Sequence, residues 1–113
     1  MTSSCLFCRI VRKEIPATIV HEDADTVAFR DIDPKAPTHV LVIPKTHVSS
    51  LNEATDASML GRLVLVAREI ARTEGIHESG WRTVFNTGAD SGQTVHHVHL
   101  HLLGGRAMKW PPG

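Results

Sequence analysis

Four histidines fall within six residues at 96–101, in the run HHVHLHLLGG, and the chain has eight in all. Imidazole changes charge near neutral pH and serves as nucleophile, general acid or base, and metal ligand. Spacing decides among these uses. In an extended strand, residues two apart share a face, so His97, His99 and His101 would point one way and Val98, Leu100 and Leu102 the other, into a core. At about 3.3 Å per residue the outer two lie roughly 13 Å apart, whereas the nitrogen ligands of one zinc lie about 2.0–2.1 Å from it. All three cannot hold one ion. At most an adjacent pair can, and at least one imidazole is left for chemistry on phosphate or acyl groups. His96 belongs on the core side of the strand or in a bend, and is open to use as an interface contact or a proton relay. A half-exposed strand also alternates polar with apolar residues, so the pattern by itself leaves room for histidines without a function.

A second set is Cys5 and Cys8. The N-terminal MTSSCLFCRIVRKEIP lacks the apolar run and small-residue cleavage site of a secretory signal, and nowhere do about 18 apolar residues follow one another. The expectation is a cytoplasmic protein in a reducing compartment, where the two cysteines are thiols, a redox pair or metal ligands rather than a structural disulfide. Charge excludes other classes. Twelve Lys and Arg balance twelve Asp and Glu, so no net field draws the chain to a nucleic-acid duplex or a membrane, and its partner is small or bound through local geometry.

The elements that position these residues follow from periodicity and turn signals. With 113 residues, no repeat and no internal linker, one domain over 1–113 is expected. Ser3 or Ser4 caps a short helix over 5–12 that Pro16 prevents from continuing, and three-residue spacing puts Cys5 and Cys8 on one face of it. ATIVHE (17–22) and TVAFRD (26–31) read as strands of a hairpin joined by DAD. After DPKAP, the nearly continuous apolar THVLVIP (38–44) reads as a central, well-covered strand, with His47 just past its end. Met59, Leu60, Leu63, Val64, Ala67, Ile70 and Ala71 recur at helical spacing over 55–74, with Thr55 as N-cap and Gly75 beyond the C-terminus. WRTVFN (81–86) is a further strand, and the polar loop TGADSGQ leads into the histidine strand. The sum is an α+β fold, mostly antiparallel.

At this point the sequence resembles the histidine triad family, and within it the Hint branch of purine nucleoside phosphoramidases. HVHLHLL (97–103) matches the triad signature, and RKEIPA (12–17), AFRDIDPKAPTHVLVIPKTH (28–47), FNTGADSGQTV (85–95) and GGRAMKWPPG (104–113) resemble segments of that branch in the same order. The resemblance implies a histidine-triad (HIT-like) fold of about five antiparallel strands with one short and one long helix. It also implies a homodimer that joins two sheets and packs the long helices together, with the tail 104–113 at the dimer interface and active site. The implied activity is hydrolysis of the P–N bond of purine nucleoside phosphoramidates.

In that resemblance His99 attacks the α-phosphorus and carries the nucleotidyl group. His101 steadies the growing charge on the phosphate oxygens, helped by the region of Gly92, Gln93 and Thr94. Asp31 matches the carboxylate that takes the ribose hydroxyls, with Phe29 and Ile32 beside the base, and Asn86 lies near ribose and phosphate. Trp110 matches a tail residue that reaches across the dimer. Asp31 and Asn86 are also turn formers, and Trp110 an anchor for a chain end. More distant, bacterial-type relatives imply a structural zinc held by Cys5, Cys8, His47 and His97, a closed two-sulfur, two-nitrogen set without an open position for water. No organic cofactor is implied. The rivals are a dinucleoside polyphosphate hydrolase of the Fhit branch, an adenine-nucleotide-binding regulatory module with incidental turnover, and a bare metal-binding protein.

Overall fold

The computed structural model describes residues 4–113, so Ser3 lies outside the described residues. Five antiparallel strands form one sheet: β1 (Ile19–Glu22), β2 (Thr26–Arg30), β3 (Thr38–Pro44), β4 (Trp81–Phe85) and β5 (Leu100–Gly104), in the spatial order β1-β2-β3-β5-β4. Two helices complete it, α1 (Leu6–Val11) and α2 (Ala57–Thr73). Among the described residues, no helix is long and apolar enough to cross a membrane.

The sheet is covered on both faces, and residue parity decides which side chain goes where. Ala28, Val40, Val42, Val98, Leu100 and Leu102 pack with Leu63, Val66, Ala67 and Ile70 of α2. Val27, Phe29, Leu41 and Ile43 turn the other way and pack with Phe7 and Ile10 of α1. The uninterrupted apolar run of β3 is thus a strand buried on both sides, as its composition suggests. Odd-numbered residues of β3 and β5 face α1, and every triad histidine is odd-numbered. The apolar residues between them are held against α2, which directs the imidazoles to the α1 side.

Local chemistry sets the element ends. The hairpin turns at Asp23, whose Oδ1 accepts from the amides of Asp25 and Thr26, each at 2.9 Å. The N-cap of α2 is Asp56, not Thr55: its Oδ1 accepts from Met59 N at 3.1 Å. Gly75, at φ 76°, closes the C-terminus as expected, with Gly75 N bonded to Arg72 O and Ile76 N to Ala71 O. The N-cap of α1 is Cys5, whose Sγ accepts from Cys8 N, in place of the expected serine. That helix stops before Pro16 is reached, because Lys13 takes a left-handed conformation at φ 63° and Glu14 N bonds Arg9 O at 2.9 Å.

One correction bears on function. The β3–β5 ladder begins at the pair Val42 and Leu100, so only His101 of the triad lies within a strand. His97 lies in a bend, and Val98 and His99 follow it outside any regular element. Their alternation survives, because Val98 is still buried with Leu100 and Leu102 while His97 and His99 meet the ring of Phe7. At the far end of β5, a Cβ on Gly104 would press on the buried Ile76 side chain. Leu102 has no exposed surface and holds the face parity of β5. Leu102→Ala should therefore lower stability by about 2–5 kcal/mol, read as a fall in the urea midpoint.

Candidate functional site

His99 lies 7 % exposed, its ring edge-on to Phe7 at 5.0 Å and tilted against His101 at 4.9 Å between centroids. Its Nδ1 is 2.8 Å from the carbonyl oxygen of His97. A carbonyl only accepts, so Nδ1 carries the proton and Nε2 keeps its lone pair. Burial pushes the His99 pKa below its ordinary value, which keeps the ring neutral at neutral pH. A neutral imidazole with a held Nδ1–H and a free Nε2 is the nucleophilic form.

The tautomer of His101 is set from further away. Lys35 N–H donates to His39 Nδ1 at 3.0 Å, so neutral His39 carries its proton on Nε2. That proton is donated to His101 Nδ1 at 2.9 Å, leaving the His101 proton on Nε2. Burial, with His99 and His39 alongside, pushes His101 down to about 4, so the ring is neutral. His101 Nε2 is the buried side-chain nitrogen or oxygen without a hydrogen-bond partner among the described residues. A desolvated N–H donor beside a lone pair is what a site for developing oxyanion charge requires.

His39 did not emerge from the sequence as a site residue. It sits at the start of the central strand on the odd-numbered face, two residues before Leu41, the β3 partner of His101. Asp31 closes the chain of contacts: its Oδ2 lies 3.5 Å from His39 Nε2, while its Oδ1 accepts from Asp33 N at 2.8 Å. Asp31 thus forms a turn and also approaches His39. Asp31, His39 and His101 also have a metal-like spacing. A cation bound through Nε2 of His39 would leave no place for its proton, since the Lys35 amide already occupies Nδ1, so the set is a hydrogen-bond relay.

The other cluster has the opposite character. Ligand atoms of Cys5, Cys8, His47 and His97 lie within 4.8 Å of one another. His47 Nδ1 is 3.2 Å from His97 Nδ1 and from Cys8 Sγ, and His97 Nδ1 is 3.4 Å from Cys5 Sγ and 3.5 Å from Cys8 Sγ. Around one tetrahedral zinc the expected separations are about 3.3 Å between nitrogens and about 3.6 Å from nitrogen to sulfur. His97 Nε2–H donates to Pro44 O at 2.8 Å, so its Nδ1 lone pair points into the cluster. The residues present fit a closed metal site. Burial, with Cys5 adding to it, pushes the Cys8 thiol up to about 11, the reverse of a reactive redox cysteine. A cation would hold it as thiolate.

The remaining residues separate. Gln93 spends its side chain on the loop: Oε1 accepts from Gly88 N at 2.9 Å, and Nε2 donates to the carbonyls of Ser49 and Val95 at 2.9 and 3.2 Å. Gly92 takes a left-handed φ of 89° just before it, and Thr94 is exposed. Phe29 is buried against Phe7, with ring centroids 5.4 Å apart, whereas Ile32 is fully exposed. Asn86 and Trp110 share an open groove of about 640 Å³ along β4 with Phe85 and Asp90, which no triad histidine lines. His96 is exposed and lines a cavity of about 440 Å³ with Cys5, His47 and Thr94, so it is not a core-facing ring.

Comparison with known proteins agrees with this geometry. A family model described as HIT domain matches residues 12–108. The chain is 46 % identical over 110 residues to the purine nucleoside phosphoramidase of Escherichia coli (strain K12), covering 96 % of this chain and 92 % of that protein. It is 49 % identical over 115 residues to a 14 kDa zinc-binding protein of Zea mays, covering 98 % and 89 %. Among solved structures, a HIT family hydrolase from Legionella pneumophila Philadelphia 1 superposes with a TM-score of 0.95 at 52 % identity, covering 97 % of this chain and all of that one.

The buried neutral imidazoles have a measurable consequence. His101 is held down to about 4 in the fold against its ordinary 6.5, so between those values the unfolded chain binds the extra proton. Stability is then full above about pH 6.5 and declines toward pH 4, by at most about 1.4 kcal/mol per pH unit for each such histidine. Urea unfolding at a series of pH values should show the decline, and His101→Gln should flatten it. An equal slope in both proteins would mean that His101 is not buried in the neutral form.

Proposed function

The chain belongs to the HIT domain family, and from that membership we propose that it hydrolyses the P–N bond of purine nucleoside phosphoramidates. The observation that carries the reading is the pairing of a lone-pair nitrogen, fixed by the His99 Nδ1 bond to the His97 carbonyl, with the unpartnered N–H of His101. In the first step His99 Nε2 attacks the α-phosphorus and the P–N bond breaks, the bonding pair going to the nitrogen, which takes a proton from solvent water and leaves as the amine. The Nδ1–H bond to His97 O stabilises the charge that the ring acquires. His101 Nε2–H donates to a phosphoryl oxygen as its charge grows. Water then attacks the nucleotidyl-His99 and releases the nucleoside monophosphate.

Asp31, Phe29 and Ile32 serve ribose and base in this reading, with the backbone of Gly92, Gln93 and Thr94 near the phosphate and Asn86 beside the ribose. The Gln93 side chain acts as a brace for that loop and not as a direct ligand. The protein is read as a single domain that works as a homodimer in a reducing, cytoplasmic setting, with tail 104–113 and Trp110 serving the interface. Two features support the dimer: β4 is an edge strand, and α2 presents Val64 and Leu65, 42 % and 52 % exposed, away from the sheet.

Cys5, Cys8, His47 and His97 are read as the ligands of a structural zinc. When bound, zinc supplies a four-ligand cross-link between α1, the segment after β3 and the triad, with no position open for catalysis.

Two measurements test the function. With an adenosine phosphoramidate carrying a fluorescent amine, the parent protein should release amine, His99→Ala should release none, and His101→Ala should lose roughly 10²–10⁴ in rate. No release by the parent, with AMP still bound, would move the reading to a nucleotide-binding module. For the metal, protein purified without added zinc should carry about one zinc per chain, as four-ligand sites of this type do. Freely reactive thiols with no metal would sink the zinc reading.

A further inference from the structure

The run that carries the nucleophile is held less by the sheet than by side chains. The β3–β5 ladder begins at Leu100, so the acceptor for His99, the carbonyl of His97, belongs to chain outside it. Three attachments hold that chain. Val98 N–H donates to Val48 O at 2.7 Å, His97 Nε2–H donates to Pro44 O at 2.8 Å, and His97 Nδ1 lies among the donor atoms of Cys5, Cys8 and His47.

His97 therefore has two attachments in one residue. Its ring, with no exposed surface, belongs to the metal-type cluster, and its carbonyl holds the Nδ1–H of His99. A second route runs through α1. Cys5 and Cys8 come from the ends of a single helical turn, and Phe7 between them lays its ring edge-on to His97 at 5.9 Å and to His99 at 5.0 Å. Both routes from the cluster end on the same imidazole.

We propose that the Cys5, Cys8, His47 and His97 centre is a positioning device for the nucleophile. His97, and Phe7 through α1, hold His99 in the orientation its attack requires, so occupancy of the centre sets kcat as well as stability. The kinetic part rests on the reading of His99 as the nucleophile. With no shared cation, the donor atoms of the centre are joined only by hydrogen bonds, one of them the 3.2 Å contact in which His47 Nδ1–H can donate to the His97 Nδ1 lone pair, and such bonds hold the ring less firmly than four metal bonds would. The bend at His97 is then held by the Val98 N–H and His97 Nε2–H bonds without the fourfold anchor, and a displacement of about 1 Å at a reacting group is enough to cost about 10² in rate.

The test strips metal from the purified protein with a chelator, verifies its absence and its return by metal analysis, and uses circular dichroism to establish that the fold persists. Metal-free protein should lose about 10²-fold in kcat toward the fluorescent phosphoramidate, while KM and AMP binding change by less than about threefold, and added zinc should restore the rate. An independent readout is the His99 Nδ1–H signal in proton–nitrogen spectra. It should be sharp and slow to exchange with metal, and broadened or lost without it. Where stripping unfolds the chain, Cys5→Ala/Cys8→Ala supplies the metal-free protein, with small apolar groups in place of the thiols, and the same outcomes apply.

A kcat retained within about threefold, or a His99 Nδ1–H signal indifferent to metal, overturns the proposal. So does a loss of rate matched by equal loss of AMP binding, which marks support of the fold alone. If metal-loaded protein turns over no phosphoramidate, the proposed function fails, and the spectroscopic arm still decides this inference.

Discussion

The structure depends on the parity of one stretch of chain. Val98, Leu100 and Leu102 are buried against α2, and this apolar anchoring obliges His97, His99 and His101 to face α1, where His97 and His99 are buried and His101 half-buried, each losing water. A desolvated imidazole needs defined partners, and each ring finds one that fixes its proton: Pro44 O for His97, His97 O for His99, and His39 for His101. Three chemically identical side chains leave the fold with three different free atoms. One offers a lone pair to the cysteine cluster, one a lone pair to the open site, and one an N–H donor. Apolar packing supplies the address, and hydrogen bonds to carbonyls and an amide supply the role.

The two histidine clusters show how small the difference between a metal site and a relay is. Both gather three or four ligand-type atoms within the same radius. Around His97 the outer nitrogen is taken by a carbonyl, which forces the proton outward and the lone pair inward. Around His39 the outer nitrogen is taken by the amide of Lys35, which forces the proton inward toward His101. Exchanging an acceptor for a donor at the back of the ring exchanges a ligand for a proton donor. Burial lowers the pKa of both rings and selects the neutral form in each, and both carry the proton on Nε2, so what separates them is which nitrogen faces the cluster.

Most of the fold was legible in the sequence, because the elements announce themselves by period: β3 ends where its apolar run ends, and Gly75 marks the close of α2. The misses share a cause. Asp56 displaced Thr55 as a cap, and Cys5 displaced a serine, because several neighbouring residues can accept from the same free amides and tertiary fit chooses among them. The histidine run was read as strand throughout, since alternation reports which way side chains point, and that persists where the ladder has stopped. His39 escaped notice because a strand buried on both faces has no visible parity. Its neighbours Val40 and Val42 look like Leu41 and Ile43 in sequence, and only the pairing with β5 tells the face. Gln93 shows the converse, a polar residue in a glycine-rich loop whose side chain is occupied by the loop itself.

Helix α1 is where these constraints meet. Six residues are too few for a helix to hold itself in water, so α1 exists because it is docked. Its buried residues are Phe7, Cys8 and Ile10, and two of these touch the histidine run through a ring or a sulfur. Its C-terminus is closed by Lys13 in a conformation that costs any residue but glycine, a strain the docking must hold in place. An element with so little stability of its own makes a poor wall for a reacting group unless something rigid ties it to the opposite side. The Cys5 and Cys8 sulfurs, set against His47 and His97, provide that tie at the point where α1 approaches His99. The cysteine pair is thus as much a part of the architecture of the site as the triad, although it offers no atom to the reaction.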